Sequence, residues 1–520
     1  MKKAFFYIIL LLPQFTLAQT TDMYFDKGVE LYNSKDFQGA LDYFTKEIEL
    51  NPQNINAYNY RGIIKGGLGD PNGAIADFSK EIAINPGAFL GYSNRANEKN
   101  NLHDYKGAIA DCDQAIIINP KFDLAYNNRG NSKNNLGDYN SAITDFNKAI
   151  ELNSKNDLAY NNRGNAKNGL GDFNGAVADF NKALELNPQL AEAYLNRGLS
   201  KNSLKDNYGA IADFTKAIEL NPRLETAYTL RGITKSGLND YNGAMADYNQ
   251  AITINAKFKQ AYENRGELKT KMGDFNSAGL DLSQAISLDP QYAEAYYNRA
   301  EAKIKLQDND GAIADFTKAI SIAPDFSPAY NDRGIVKAAM NDFSGAIADY
   351  SRSIELSPDL DMAYFNRGLA RVNMRQRSEA IADFTKAISL NPDYKEAYYY
   401  RGALNVDAGN FNSVITDLNK AIGYNINLPV SYSLRGYAKF VLHYYDGAIA
   451  DLTKTIELNP ASDETYNLRA KIYFSQKNKN AACADWAKAA TLGNKEAVFS
   501  LKQFCEKHKP AHPPGWVEWH

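Results

Sequence analysis

Asp157 to Leu190 reads DLAYNNRGNAKNGLGDFNGAVADFNKALELNPQL, and this stretch decides the fold. Tyr160, Gly164 and Lys167 stand at i, i+4 and i+7, the spacing of one helix face. Gly171-Asp172 breaks that helix, and Asp172 is placed to start another. Ala176, Phe180 and Ala183 share a second helical face, which Asn187-Pro188 closes. The pattern predicts two antiparallel helices joined by a short turn.

The same pattern runs outward in both directions. Tyr recurs at 24, 58, 92, 126, 160, 194, 228, 262, 296, 330, 364, 398, 432 and 466, always 34 residues apart. Units therefore start at 21, 55, 89, 123, 157, 191, 225, 259, 293, 327, 361, 395, 429 and 463. They leave no room within 19–496 for a separate catalytic domain. The eighth position is Gly or Ala in every unit, and the twentieth is Ala in all but one, where Val414 stands. Small residues there let two helix backbones approach closely, with the large residues of the fourth and twenty-fourth positions filling the space around them. A lone hairpin of this size cannot bury its second face, so stability must come from stacking on neighbours.

Period and pattern resemble the tetratricopeptide repeat, on Tyr160, Gly164, Ala176, Phe180, Ala183 and Pro188 and their counterparts in the other units. Arg163 and Lys167 depart from it, standing where the family usually has Leu and Tyr. The resemblance implies an all-α solenoid: fourteen helix-turn-helix units in a right-handed superhelix, with a concave groove lined by the first helix of each pair.

The Arg departure recurs from Arg61 to Arg469, and an Asp follows sixteen residues later each time, from Asp77 to Asp485. The first unit lacks both, carrying Lys27 and Tyr43. Joint loss in one unit predicts that the partners belong to the same unit, so Arg129 pairs with Asp145 and Arg163 with Asp179. A pair repeated in every unit serves the scaffold.

The groove positions that the family implies are rich in Asn. They include Asn94, Asn97, Asn128, Asn131, Asn162 and Asn165, and the sixth position continues with Asn196, Asn264, Asn298 and Asn366. Asn is a poor helix former, so its concentration on one face needs a cause. Its amide donates and accepts, which suits a peptide backbone. The series is similar to the asparagine ladder in the repeat region of O-linked N-acetylglucosamine transferases, which grips extended peptides. The other reading is that these amides cap or bridge neighbouring helices. Later units place Tyr297, Phe365, Tyr399, Tyr437 and Phe440 in the groove, either as an apolar interaction surface or as packing within the superhelix.

At the start, Lys2 and Lys3, the apolar run Ala4 to Leu12 and Thr16-Leu17-Ala18 read as a signal peptide over 1–18. Its removal takes the net charge from −3 to −5, which gives no global basic field for nucleic acid. No later stretch is apolar enough to span a membrane. At the other end, 494–507 is expected to form a capping helix, and 508–520 a loose tail. Cys483 on the last unit and Cys505 on the cap are expected to pair, and Cys112 to be a buried free thiol. No motif for nucleophilic catalysis, phosphate binding or a metal appears, so no enzyme, cofactor or metal site is expected. The expectation is an exported, periplasmic or extracellular scaffold binding other proteins or peptides in extended form. The alternatives are a structural part of a cell-envelope assembly and a glycan-binding scaffold.

Overall fold

The computed structural model describes residues 23–506, which contain helices and turns and no strand. The leader expected at 1–18 and the tail expected at 508–520 lie outside the described residues. Two compact bodies divide between Leu268 and Lys269. Each is a stack of helix pairs, and both follow one local logic.

The unit at 157 shows that logic. Its first helix, Asp157–Gly169, begins where the Asn156 side chain accepts from the Ala159 amide. Asp157 stands in the first turn and Lys167 in the last, each opposing the helix dipole. The chain then turns at Gly171, whose φ of 78° is left-handed and favours glycine. Asp172 accepts from the Gly175 amide and starts the second helix, Phe173–Leu186. Asn187 ends it and donates from Nδ2 to Asp157 Oδ2 at 2.7 Å, tying the unit's end to its own start.

Packing follows the small-large pattern. A methyl group on Gly164 would sit 2.7 Å from a ring carbon of Phe180, so glycine here lets the helices close on that ring. Ala176, Phe180 and Ala183 are fully buried, in one cluster with Ala193 and Tyr194 of the next unit. The core is therefore shared between neighbours, and each such ring contributes about 1.5–3 kcal/mol.

One compensation breaks the pattern informatively. Glu81 replaces the usual small residue at the twenty-seventh position and is buried. Gly91 replaces the usual Ala at the third position of the following unit, where a methyl group would lie 2.8 Å from the Glu81 carboxyl carbon. Asn59 Nδ2 donates to Glu81 Oε2 at 2.8 Å. Burial raises this carboxyl above its usual range, and the Asn59 bond works in the opposite direction.

The last helix spans Lys495–Phe504. Phe504 stacks on Trp486 and packs tilted against Phe474, with ring centres 5.8 and 4.7 Å apart, and Ala497 is fully buried in the same cluster. A disulfide joins Cys483 to Cys505 across a Cα separation of 5.7 Å. Cys112 is a free, fully buried thiol, which burial pushes up to about 12.

Candidate interaction surface

Two systems of polar side chains run along the stack. The first is internal. Arg Nη2 meets Asp Oδ1 of its own unit at 2.5–2.8 Å from Arg61–Asp77 to Arg231–Asp247, and again from Arg299–Asp315 to Arg469–Asp485. Arg Nε binds the other oxygen, so the fork is bidentate, as in Arg163–Asp179 and Arg129–Asp145. A Lys four residues after the Arg adds its ammonium to that second oxygen, as Lys167 does on Asp179 at 2.8 Å. The Tyr three residues before the Arg lies against the guanidinium, 5.4 Å away for Tyr160 and Arg163.

The Arg reaches further than its own unit. Its Nη1 donates to a side chain of the unit before, for example Arg163 to Asn147 at 2.7 Å and Arg231 to Thr215 at 3.0 Å. The twenty-fifth position supplies this acceptor throughout: Thr45, Ser79, Asp113, Asn147 and so on to Thr453. The last unit has Ala487 there, and no Arg follows to use it. A polar residue recurs at this position, so the sequence carries the link between units beneath the stronger Arg–Asp spacing.

The second system lies on the first helices and carries the sequence-predicted site residues. Asn128 donates to Ser93 Oγ at 3.2 Å, and Asn162 donates to Asn127 Oδ1 at 3.1 Å. Both therefore bridge from the sixth position of one unit to the fifth of the unit before. Asn264 donates to Gln260 O of its own helix at 2.7 Å. Asn196 and Asn366 are half-buried, and the Asn196 amide nitrogen has no protein acceptor. Asn298 is half-buried as well.

Asn94, Asn97, Asn131 and Asn165 behave differently. Asn97 is exposed and the others half-buried, and none makes a side-chain hydrogen bond among the described residues. Asn94, Asn97 and Asn101 line a cavity of about 350 Å³ with Glu98, Ile63 and Gly66. A row of amides with donors and acceptors to spare is chemically equipped to hold a polypeptide backbone.

Phe365 corrects the aromatic expectation. It is buried, with Tyr394, Phe384 and Tyr400 at centroid distances of 4.7, 5.6 and 5.8 Å. Neighbouring rings have closed over it, so it presents no groove surface. Tyr297 packs on Phe316 and Phe326 and donates to Asp332 Oδ2 at 2.6 Å. Phe440 packs against Tyr445 in the cluster of Ala448 and Leu452. The Tyr399 hydroxyl accepts from Asn427. Tyr437 is 38% exposed and lines a cavity of about 640 Å³ with Leu434, Leu468 and Lys471.

Sequence profiles of the tetratricopeptide repeat match residues 124–156, 158–190, 191–224, 225–258, 293–326 and 362–394, and a further TPR repeat profile matches 266–307. The chain is a tetratricopeptide repeat protein. Proteins of this family bind other proteins and are typically not catalysts. Among solved structures, the tetratricopeptide repeat chain is similar to the APC/C hetero-tetramer Cut9-Hcn1, at 15% identity over 95% of this chain and 98% of that one, with a TM-score of 0.41. A tetratricopeptide repeat protein from Parabacteroides merdae is 21% identical over 48% of this chain and 99% of that one, with a TM-score of 0.41. YrrB, described as a TPR protein with an unusual peptide-binding site, is 26% identical over 35% and 95%, with a TM-score of 0.30. No curated protein matches the chain. Among the described residues no helix is long and apolar enough to cross a membrane, and no group of three or more metal-ligating side chains gathers.

Proposed function

We propose that this repeat protein is a non-enzymatic scaffold that holds an extended polypeptide segment along the first helices of the units at 89, 123 and 157. The observation that carries this reading is the division of labour among the Asn residues. Asn128 and Asn162 brace neighbouring helices, which keeps Asn94, Asn97, Asn131 and Asn165 in register with their amides open. Amides spaced by the repeat read backbone, which every polypeptide shares, so affinity would depend weakly on the partner's sequence.

Export is part of the proposal. Its support is the 1–18 pattern together with the Cys483–Cys505 bond, since disulfides persist in oxidising compartments. A glycan-binding role is the second reading, favoured by exposed Tyr437 above its polar-rimmed cavity.

An array of overlapping peptides from envelope proteins, probed with the chain from Gln19 onward, tests the first reading. The variant with Asn94, Asn97, Asn131 and Asn165 changed to Ala should keep its melting temperature within a few degrees, since these amides hold nothing in the scaffold. It should bind the array at least about tenfold more weakly. Equal binding by both proteins would remove the proposed site, and a Tyr437→Ala variant that alone loses oligosaccharide binding would support the second reading.

A further inference from the structure

The repeating Asp is a receptor for a second cation, and the units at 395 and 463 lack the group that their sisters supply. Lys65, Lys99, Lys133, Lys167, Lys201 and Lys235 all place Nζ at 2.7–2.8 Å from Oδ2 of their unit's Asp. Lys269, Lys303, Lys337 and Lys439 do the same at 2.7–2.8 Å. Lys99, Lys167 and Lys303 also lie 3.3–3.4 Å from the carbonyl of the nineteenth residue, Gly107, Gly175 and Gly311. Arg371 reproduces both contacts, to Asp383 Oδ2 at 2.6 Å and to Glu379 O at 3.4 Å. In the last unit Tyr473 takes the position and covers the Arg469 guanidinium at 5.8 Å.

The unit at 395 has Asn405 instead. This side chain is too short to reach the carboxylate, and its Oδ1 accepts from Asn410 Nδ2 at 3.1 Å. Asp417 remains almost fully buried, and among the described residues its Oδ2 accepts only from Arg401 Nε at 2.9 Å. Beside it opens a cavity of about 430 Å³, lined by Asn405, Asn412, Ser413, Thr416, Asp417 and Arg401. Ser413 stands where Gly107 and Gly175 offer their carbonyls. The sister units show that a carboxylate already forked by Arg still accepts a second cation at this oxygen.

We propose that the cavity beside Asp417 binds a primary alkylammonium from outside the unit, with Asp417 Oδ2 and the Ser413 carbonyl receiving its hydrogens. The site is independent of the Asn-lined face. Two sources share this chemistry: a lysine side chain on a partner polypeptide, and a free diamine.

Methyl NMR of Ile381 and Thr416 in the chain from Gln19 onward tests the site, with Nα-acetyl-lysine methylamide as probe. The probe should shift both signals saturably, and its Nε-acetylated form should not. Asn405→Lys supplies the missing cation from within the fold, so it should preserve or raise the melting temperature and weaken the probe at least about tenfold. Asn405→Ala leaves the cavity open and should retain the probe. A lysine-bearing peptide binding more tightly than cadaverine would identify a protein source, and the reverse order a small amine. Equal shifts from the acetylated probe, binding undiminished in Asn405→Lys, or the same shifts from potassium chloride alone would overturn the proposal. The variant with the four open Asn changed to Ala should bind the probe as the native chain does, which separates this outcome from that of the groove.

Discussion

Where the fifth residue of one unit faces the sixth of the next, Asn127 meets Asn162 in one body and Phe365 meets Tyr400 in the other. The backbone slots correspond, and the chemistry differs. A hydrogen bond joins the first pair through a single amide, and the nearby Asn131 and Asn165 keep half-buried amides without a side-chain partner among the described residues. Ring packing in the second pair draws in Tyr394 and Phe384, so the apolar surface is consumed by the fold itself. The same slot thus yields an open polar face or a closed apolar junction, depending on whether the side chains can be satisfied by one contact or need several.

The largest effect should come from the aromatic junction. Phe365→Ala removes a buried ring and leaves a cavity, which costs about 3–5 kcal/mol. Chemical denaturation should show that loss, and a change below about 1 kcal/mol would mean that the rings are surface after all. At the polar junction, Asn162→Ala removes the bond to Asn127 and a longer one accepted from Asn161, and should cost about 1–2 kcal/mol. A loss as large as that of Phe365 would show that the Asn bridge is structural throughout and would weaken the case for a binding face.

The smallest effect concerns Glu81, at the edge of the Asn-lined stretch. Its folded-state carboxyl titrates above the ordinary value of 4.5, chiefly through burial. Below that value both states hold the proton. As pH rises through it, the unfolded chain releases its proton first, so this group erodes stability toward neutral pH. Glu81→Gln should match the native chain near pH 4 and melt higher at pH 7. Identical melting curves at both values would mean that the carboxylate is fully solvated.

The fold was legible because stacking imposes one spacing on every unit, and Tyr160 and its counterparts keep it without an insertion. The Arg–Asp pairing was legible because the first unit loses both partners at once. The roles of the Asn residues were not legible from their position. Asn128 bridges because Ser93 accepts, whereas the fifth residue of the unit before Asn94 is Asn59, whose amide is bound to Glu81. That depends on what the preceding unit offers across the junction, which a single column of residues does not contain. Lys167 was visible as a departure from the family, but its partner lies twelve residues on in the opposite helix, a spacing that no helical periodicity reveals. Glu81 and Gly91 form two anomalies ten residues apart, and only the packing shows that one makes room for the other.

The link from each Arg to the twenty-fifth residue of the unit before gives the stack a polarity. Each interior unit offers one acceptor forward and one guanidinium backward, like a coupling with a hook and an eye. The first unit has only the eye, Thr45, and the last has only the hook, Arg469. A gene that gained or lost a 34-residue segment between them would rejoin every coupling and strand no charge. Length is therefore a property this chain can change in whole steps, while its two ends remain distinct parts.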